Sequence, residues 1–86
     1  MKVIYYKSIL CPKCIPTNRL IKQLKREHPE ISVEEIEIIT HLSRAREEGV
    51  NHVPTIIVGE ERFYTAPTMH ELLSAVQRSS EPVLAS

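Results

Sequence analysis

The chain has 86 residues, 42% of them apolar and 26% charged, with 11 Lys and Arg set against 11 Asp and Glu. That length accommodates one domain and excludes two, and a formal charge of zero supplies no global field to attract nucleic acid or an anionic lipid surface. No apolar run approaches the ~20 residues that span a bilayer, and with Tyr5, Tyr6, Phe63 and Tyr64 as the only aromatics the core must be built from Ile, Leu and Val.

Residues 2–7 are β-branched and aromatic between two lysines, the composition of a short buried strand. They run on from Met-Lys without an apolar h-region or a small-residue cleavage site, so the expected compartment is the cytoplasm. Tyr5 and Tyr6 fall on opposite faces of this strand, so at most one can approach an active site, and both are expected to be packing residues with hydroxyls at the sheet edge. A helical pattern begins at Cys11-Pro-Lys-Cys14, with Thr17, Leu20, Ile21 and Leu24 at i, i+3, i+4 and i+7 on one face. Pro12 suits the first helical position, whereas Pro16 is expected to remove a bond one turn in and kink the helix. His28-Pro29 ends it, because the residue before proline avoids helical geometry. Lys22, Lys25 and Arg26 make the solvated face.

A second strand is expected over 33–39, with Ile36 and Ile38 on one face and Glu35 and Glu37 on the other. A short helix over 41–48 follows, closed by Gly49. Residues 55–58 form a nearly all-apolar third strand, and Gly59-Glu60-Glu61 turns it into a fourth over 62–64, an antiparallel hairpin. Thr68-Met-His-Glu71 has capping-box spacing, and Met69, Leu72, Leu73 and Val76 repeat the helical stripe as core. Residues 1–78 are thus one domain, and 79–86, small and polar, an expected flexible tail. The order β-α-β-α-β-β-α begins with a parallel pair joined by a right-handed crossover. The hairpin adds antiparallel strands, giving an α/β fold with a four-stranded mixed sheet flanked by three helices.

Two cysteines separated only by Pro12 and Lys13 close too short a loop to stabilise the chain much, and a disulfide framework uses more of them. The pair is better suited to reaction. A cysteine at a helix start meets unpaired N–H groups and the positive end of the helix dipole. Lys13 adds a cation, and both favour the thiolate, which is the nucleophile in disulfide exchange. Cys11 then forms a mixed disulfide with a substrate, and Cys14, one turn inward, attacks it and releases the reduced product. The competing reading is half of a zinc site, which needs four ligands. No further Cys exists and His28, His41, His52 and His70 are scattered; the βαβ setting favours redox chemistry.

The second informative stretch is Gly49-Val-Asn-His-Val-Pro-Thr55, where a proline stands directly before a buried strand. Locally a trans bond at a strand start is the commoner explanation, only ~5–6% of X–Pro bonds being cis. His52, two residues before Pro54, is read as a solvated loop histidine, with a proton shuttle or adventitious metal ligand as the alternative. Arg44 and Arg46, with Glu47 and Glu48, are expected surface pairs.

Together, Cys11-Pro-Lys-Cys14 at the first helix and Val53-Pro54-Thr55 before the third strand make residues 2–78 resemble the thioredoxin–glutaredoxin superfamily. The resemblance implies a thioredoxin-like fold and a thiol–disulfide oxidoreductase with Cys11 and Cys14 catalytic. It also implies a cis Pro54 against Cys11, and Val53 pairing through its backbone with substrate. Leu10, Pro12 and Lys13 would border the substrate, with Ile9, Ile15 and Ala66 completing an apolar rim. The departures separate the branches. Lys13 stands where glutaredoxins often have Tyr, and Leu10 where thioredoxins have Trp. Ser8 stands where glutaredoxins often have Lys, with Lys7 one step away. Tyr64-Thr-Ala-Pro67 lacks the Gly-Gly pair that helps hold glutathione, and no Asp precedes Cys11 in the first strand as a buried proton acceptor. The closest likeness is to small, glutaredoxin-sized thioredoxins of bacteria and archaea. The expected partners are protein disulfides and a disulfide reductase that sequence does not identify, with no nucleic acid and no membrane. The protein is expected to be a monomer without a cofactor, glutathione being the alternative reductant. A metal or iron–sulfur binder through the two cysteines is the alternative of another class.

Overall fold

The computed structural model describes residues 2–80. Four strands, β1 (Lys2–Lys7), β2 (Ser32–Glu37), β3 (Thr55–Val58) and β4 (Glu61–Phe63), form one sheet in the order β2-β1-β3-β4. β1 runs parallel to β2 and antiparallel to β3, and β3 runs antiparallel to β4. The helices are α1 (Cys14–Glu27), α2 (Leu42–Glu47) and α3 (Met69–Ser80), with a turn of 3-10 helix at Ile38–Thr40. This is the expected thioredoxin-like order.

The alternation of β1 divides the core in two. Val3 and Tyr5 pack with Ile21, Leu24, Ile56, Leu72 and Val76, the side of α1 and α3. Tyr6 packs on the opposite face with Ile36, Ala45, Val50 and Ile57, under α2. Ile21, Leu24, Ile56 and Leu72 are at most 1% exposed, a degree of burial that contributes ~1.5–3 kcal/mol for each such side chain. The α1 stripe starts one turn earlier than the expected Thr17, because Cys14 is also fully buried on it.

Element ends differ from expectation for local reasons. The first helix begins at Cys14, and Cys11 lies in the turn before it, where its carbonyl accepts from Cys14 N and that of Pro12 from Ile15 N. Pro16 is therefore the third helical residue, within a turn whose N–H groups have no intrahelical acceptor. It removes no bond, and the expected cause of a kink is gone. β2 stops at Glu37, level with the last residue of β1, since Lys7↔Glu37 is the final register pair. Beyond it the Glu37 carboxylate accepts from Ile39 N and bends the chain into 3-10 geometry. β4 begins one residue earlier than expected because Val58 pairs with Glu61 across the turn. The capping box of α3 is formed in both directions between Thr68 and Glu71. That helix includes Ser79 and Ser80; the remainder of the expected tail, 81–86, lies outside the described residues.

Candidate active site

Two chain reversals meet at one end of the sheet. β1 delivers the Ser8–Cys14 loop to its C-terminal end, and the antiparallel pairing Tyr6↔Thr55 brings the start of β3 beside it. Ser8 organises the loop. Its hydroxyl accepts from Leu10 N at 3.2 Å and its carbonyl from Cys11 N at 3.1 Å. From the other side, Ile9 N donates to the Glu37 carboxylate at 3.0 Å. The loop is thus tied at three successive amides, Ile9, Leu10 and Cys11, while Ile9 and Leu10 remain 85% and 77% exposed.

Cys11 is half-buried and Cys14 fully buried, and both are free thiols. The Cys11 thiol donates to the Val53 carbonyl at 3.8 Å, and the Val53–Pro54 peptide bond is cis. Pro54 is buried and Val53 partly so, whereas Leu10, Pro12 and Lys13 are exposed around Cys11. All seven residues singled out in the sequence therefore lie at this end of the molecule. Lys13, Pro16, Pro54, Tyr64, Thr65 and Ala66 line an open groove of about 250 Å³ alongside.

Burial pushes the Cys14 thiol above its ordinary range, opposed by a hydrogen bond with the Ser8 backbone. Below it lies a residue whose role sequence placed elsewhere. The Tyr5 hydroxyl is not at the sheet edge: it donates to Asn18 Oδ1 at 2.7 Å and lies 3.3 Å from the Cys14 carbonyl. Burial, then the neighbouring Cys14, hold the Tyr5 phenol well above the usual tyrosine range. Tyr6 is equally buried, and its hydroxyl donates to Glu48 at 2.7 Å. Burial and that carboxylate push it up to about 12.

Sequence reasoning did not identify Tyr5, Asn18, Ser8 or Glu37 as parts of the site. For Ser8 a local signal existed, a serine two residues before an amide its hydroxyl can cap. The other three meet only through the crossover. Lys7 is engaged elsewhere, pairing with Glu35 at 2.8 Å. The His52 ring packs on Tyr64 with centroids 4.8 Å apart, and its Nδ1 lies 2.8 Å from Asn51 Oδ1. Among the described residues no group of three or more His, Cys, Asp or Glu is arranged to hold a metal ion, and no helix is long and apolar enough to cross a membrane.

Comparison with known proteins gives a consistent picture. The chain is 31% identical over 80 residues to a thioredoxin of Methanocaldococcus jannaschii, covering 91% of this chain and 94% of that protein. It is 33% identical over 78 residues to a probable thioredoxin of Methanothermobacter thermautotrophicus, covering 88% and 92%. The structure of thioredoxin 1 from Thermosipho africanus superposes with a TM-score of 0.74 at 25% identity, covering 91% of this chain and 92% of that one. No family model matches the sequence.

Proposed function

The chain belongs to the thioredoxin family and is a thiol–disulfide oxidoreductase, and from that premise we propose that Cys11 is its attacking thiol and Cys14 its resolving one. The observation that carries the assignment is the difference in access: Cys11 stands at the mouth beside Val53, and Cys14 is fully buried behind it. Only Cys11 can meet a disulfide on another protein. Its thiolate attacks one substrate sulfur, forms a mixed disulfide and expels the other sulfur as a thiolate. Cys14 then attacks the Cys11 sulfur, giving the intramolecular disulfide and the second reduced substrate sulfur. A Cys14 thiol held protonated by burial does not compete in the first step.

In this reading the substrate chain lies extended beside Val53 and bonds to its backbone, as a strand adds to a free edge, with Pro54 as the floor. Leu10, Pro12, Lys13 and the exposed Ile9 and Ile15 contact its side chains. The electrons reside on the two sulfurs, so no resident cofactor is needed. The donor is a protein disulfide reductase rather than glutathione, a choice supported by the Tyr64-Thr-Ala-Pro67 segment and by the commitment of Lys7 to Glu35. The protein acts as a monomer in the cytoplasm, where thiols are kept reduced.

The test is a Cys14→Ser variant incubated with protein disulfides. It should accumulate a covalent adduct on Cys11 that a thiol reductant releases, while Cys11→Ser should form none. Adducts forming equally in both variants would overturn the assignment. A redox titration in glutathione buffers checks the donor: a stable glutathione adduct on Cys11 would move the assignment to glutathione.

A further inference from the structure

We propose that Tyr5 is the positioning residue for the resolving thiol: its buried hydroxyl, donating to Asn18 at rest, turns to the Cys14 sulfur as that sulfur loses its proton. The inference rests on the resolving role proposed for Cys14 and assigns the group that makes it work.

The geometry leaves the hydroxyl little else to do. Tyr5 and Cys14 are both fully buried, and the Tyr5 oxygen lies between the first turn of α1, 3.3 Å from the Cys14 carbonyl, and Asn18 Oδ1 at 2.7 Å. A phenol carries one proton, so it serves one acceptor at a time. While Cys14 is a thiol, the amide oxygen of Asn18 is the better acceptor. When Cys14 becomes a thiolate, the charged sulfur is the stronger one, and hydrogen bonds to ionised groups are roughly twice as strong as neutral ones. The electrostatic coupling agrees, Tyr5 favouring the Cys14 thiolate and Cys14 disfavouring ionisation of the phenol. Tyr5 therefore stays a donor and is never the base.

The proton balance closes without another reagent. In the resolving step the Cys14 S–H bond breaks, a Cys14–Cys11 bond forms, and the Cys11–substrate bond breaks. The proton leaving Cys14 passes to solvent, or to the departing substrate thiolate where that sulfur is basic enough to take it, and Tyr5 keeps its own throughout.

Few charges surround the pair. Cys11 lies on the loop, Glu35 is the register partner of Tyr5 on β2, and Lys7 of β1 and Lys25 of α1 hold Glu35. Lys22 lines the surface groove that also holds Asn18. β3 and α3 present apolar Ile56, Leu72 and Ala75 to the same cluster.

The test uses an aromatic disulfide such as dithiobisnitrobenzoate under single-turnover conditions. Release of the first coloured thiolate reports attack by Cys11, and release of the second reports resolution by Cys14. In Tyr5→Phe the first release should hold within about twofold. The second should slow about tenfold at neutral pH, its pH midpoint rising by about one unit, the equivalent of a tenfold change. Asn18→Ala, at an exposed position, removes the competing acceptor and should move that midpoint down. An unchanged second phase in Tyr5→Phe, or an equal loss in both phases, would overturn the proposal. So would a midpoint in Asn18→Ala that stays in place or rises, which keeps the test open if Tyr5→Phe fails to fold. Failure of the underlying reading looks different: the unmodified protein would then release only the first thiolate.

Discussion

Thr17 lies three residues below Cys14 on the buried stripe of α1, and its Oγ1 has no hydrogen-bond partner among the described residues. A buried hydroxyl left unpaired costs about 1–3 kcal/mol, whereas an apolar group of the same shape is neutral or stabilising. Thr17→Val is therefore expected to raise stability by about 1 kcal/mol in denaturant unfolding; a loss instead would mean that the hydroxyl is satisfied in solution. The residues that carry chemistry differed in how visible they were. Cys11 and Cys14 announce themselves because their relation is local, two residues apart at a strand–helix junction. Tyr5 does not. Alternation gives the face a strand residue occupies but not what lies above it, and Asn18 reaches Tyr5 only after the chain has turned back as α1.

The turns and crossovers between elements carry their own expectations. Gly49 and Gly59 have φ of +71° and +61°, the left-handed region. A Cβ at Gly49 would meet only the end of the Arg62 side chain at 3.9 Å, whereas at Gly59 it would lie 2.8 Å from Ser79 Cβ on α3. Gly49→Ala is expected to lose about 1–2 kcal/mol from backbone strain. Gly59→Ala should lose more, and the ranking can be read from thermal unfolding of the two variants side by side. α2 is tied to β2 by a two-pronged pair, Arg44 to Glu34 at 2.6 and 2.9 Å, which with Lys2 holds the Glu34 carboxyl at about 2. Because the folded value lies below the usual carboxylate range, this pair contributes stability above about pH 4. That contribution fades as pH falls through about 2. Arg44→Ala should accordingly unfold at a lower temperature at neutral pH, the gap from the parent closing in strong acid; a gap independent of pH would contradict the linkage. Sequence patterns located the three α-helices and the four strands, but not this pairing, since Glu34 and Arg44 stand in different elements. It also misjudged the end of β2, where a side chain, Glu37, competes with the ladder for an amide.

At the scale of the molecule, the two faces of the sheet are covered and its flanks are blunted. β2 at one edge carries Glu34, Glu35 and Glu37, and β4 at the other is three residues long, devices that discourage edge-to-edge pairing. The apolar surface left in water gathers at the Cys11 end, in Ile9, Leu10, Ile15 and Tyr64, with a second exposed pair at Ile39 and Leu42. This division was partly legible: the motifs and element order pointed to the fold, while the depth of Cys14 and the height of Ile9 and Leu10 depend on how Ser8 and Glu37 hold the loop. Leu10→Glu is expected to lower kcat/KM for a protein disulfide about tenfold, the order of one lost apolar anchor, and to leave reaction with a small aromatic disulfide near the parent rate. Equal losses on both would place Leu10 in the chemistry rather than in recognition. An anchoring patch of so few side chains is small beside a stable interface, and small contacts dissociate quickly. The buried Cys14 then acquires a temporal meaning: a partner stays for as long as one sulfur–sulfur bond lasts, and the residence time of every encounter is set by a clock inside the enzyme rather than by the fit of the two surfaces.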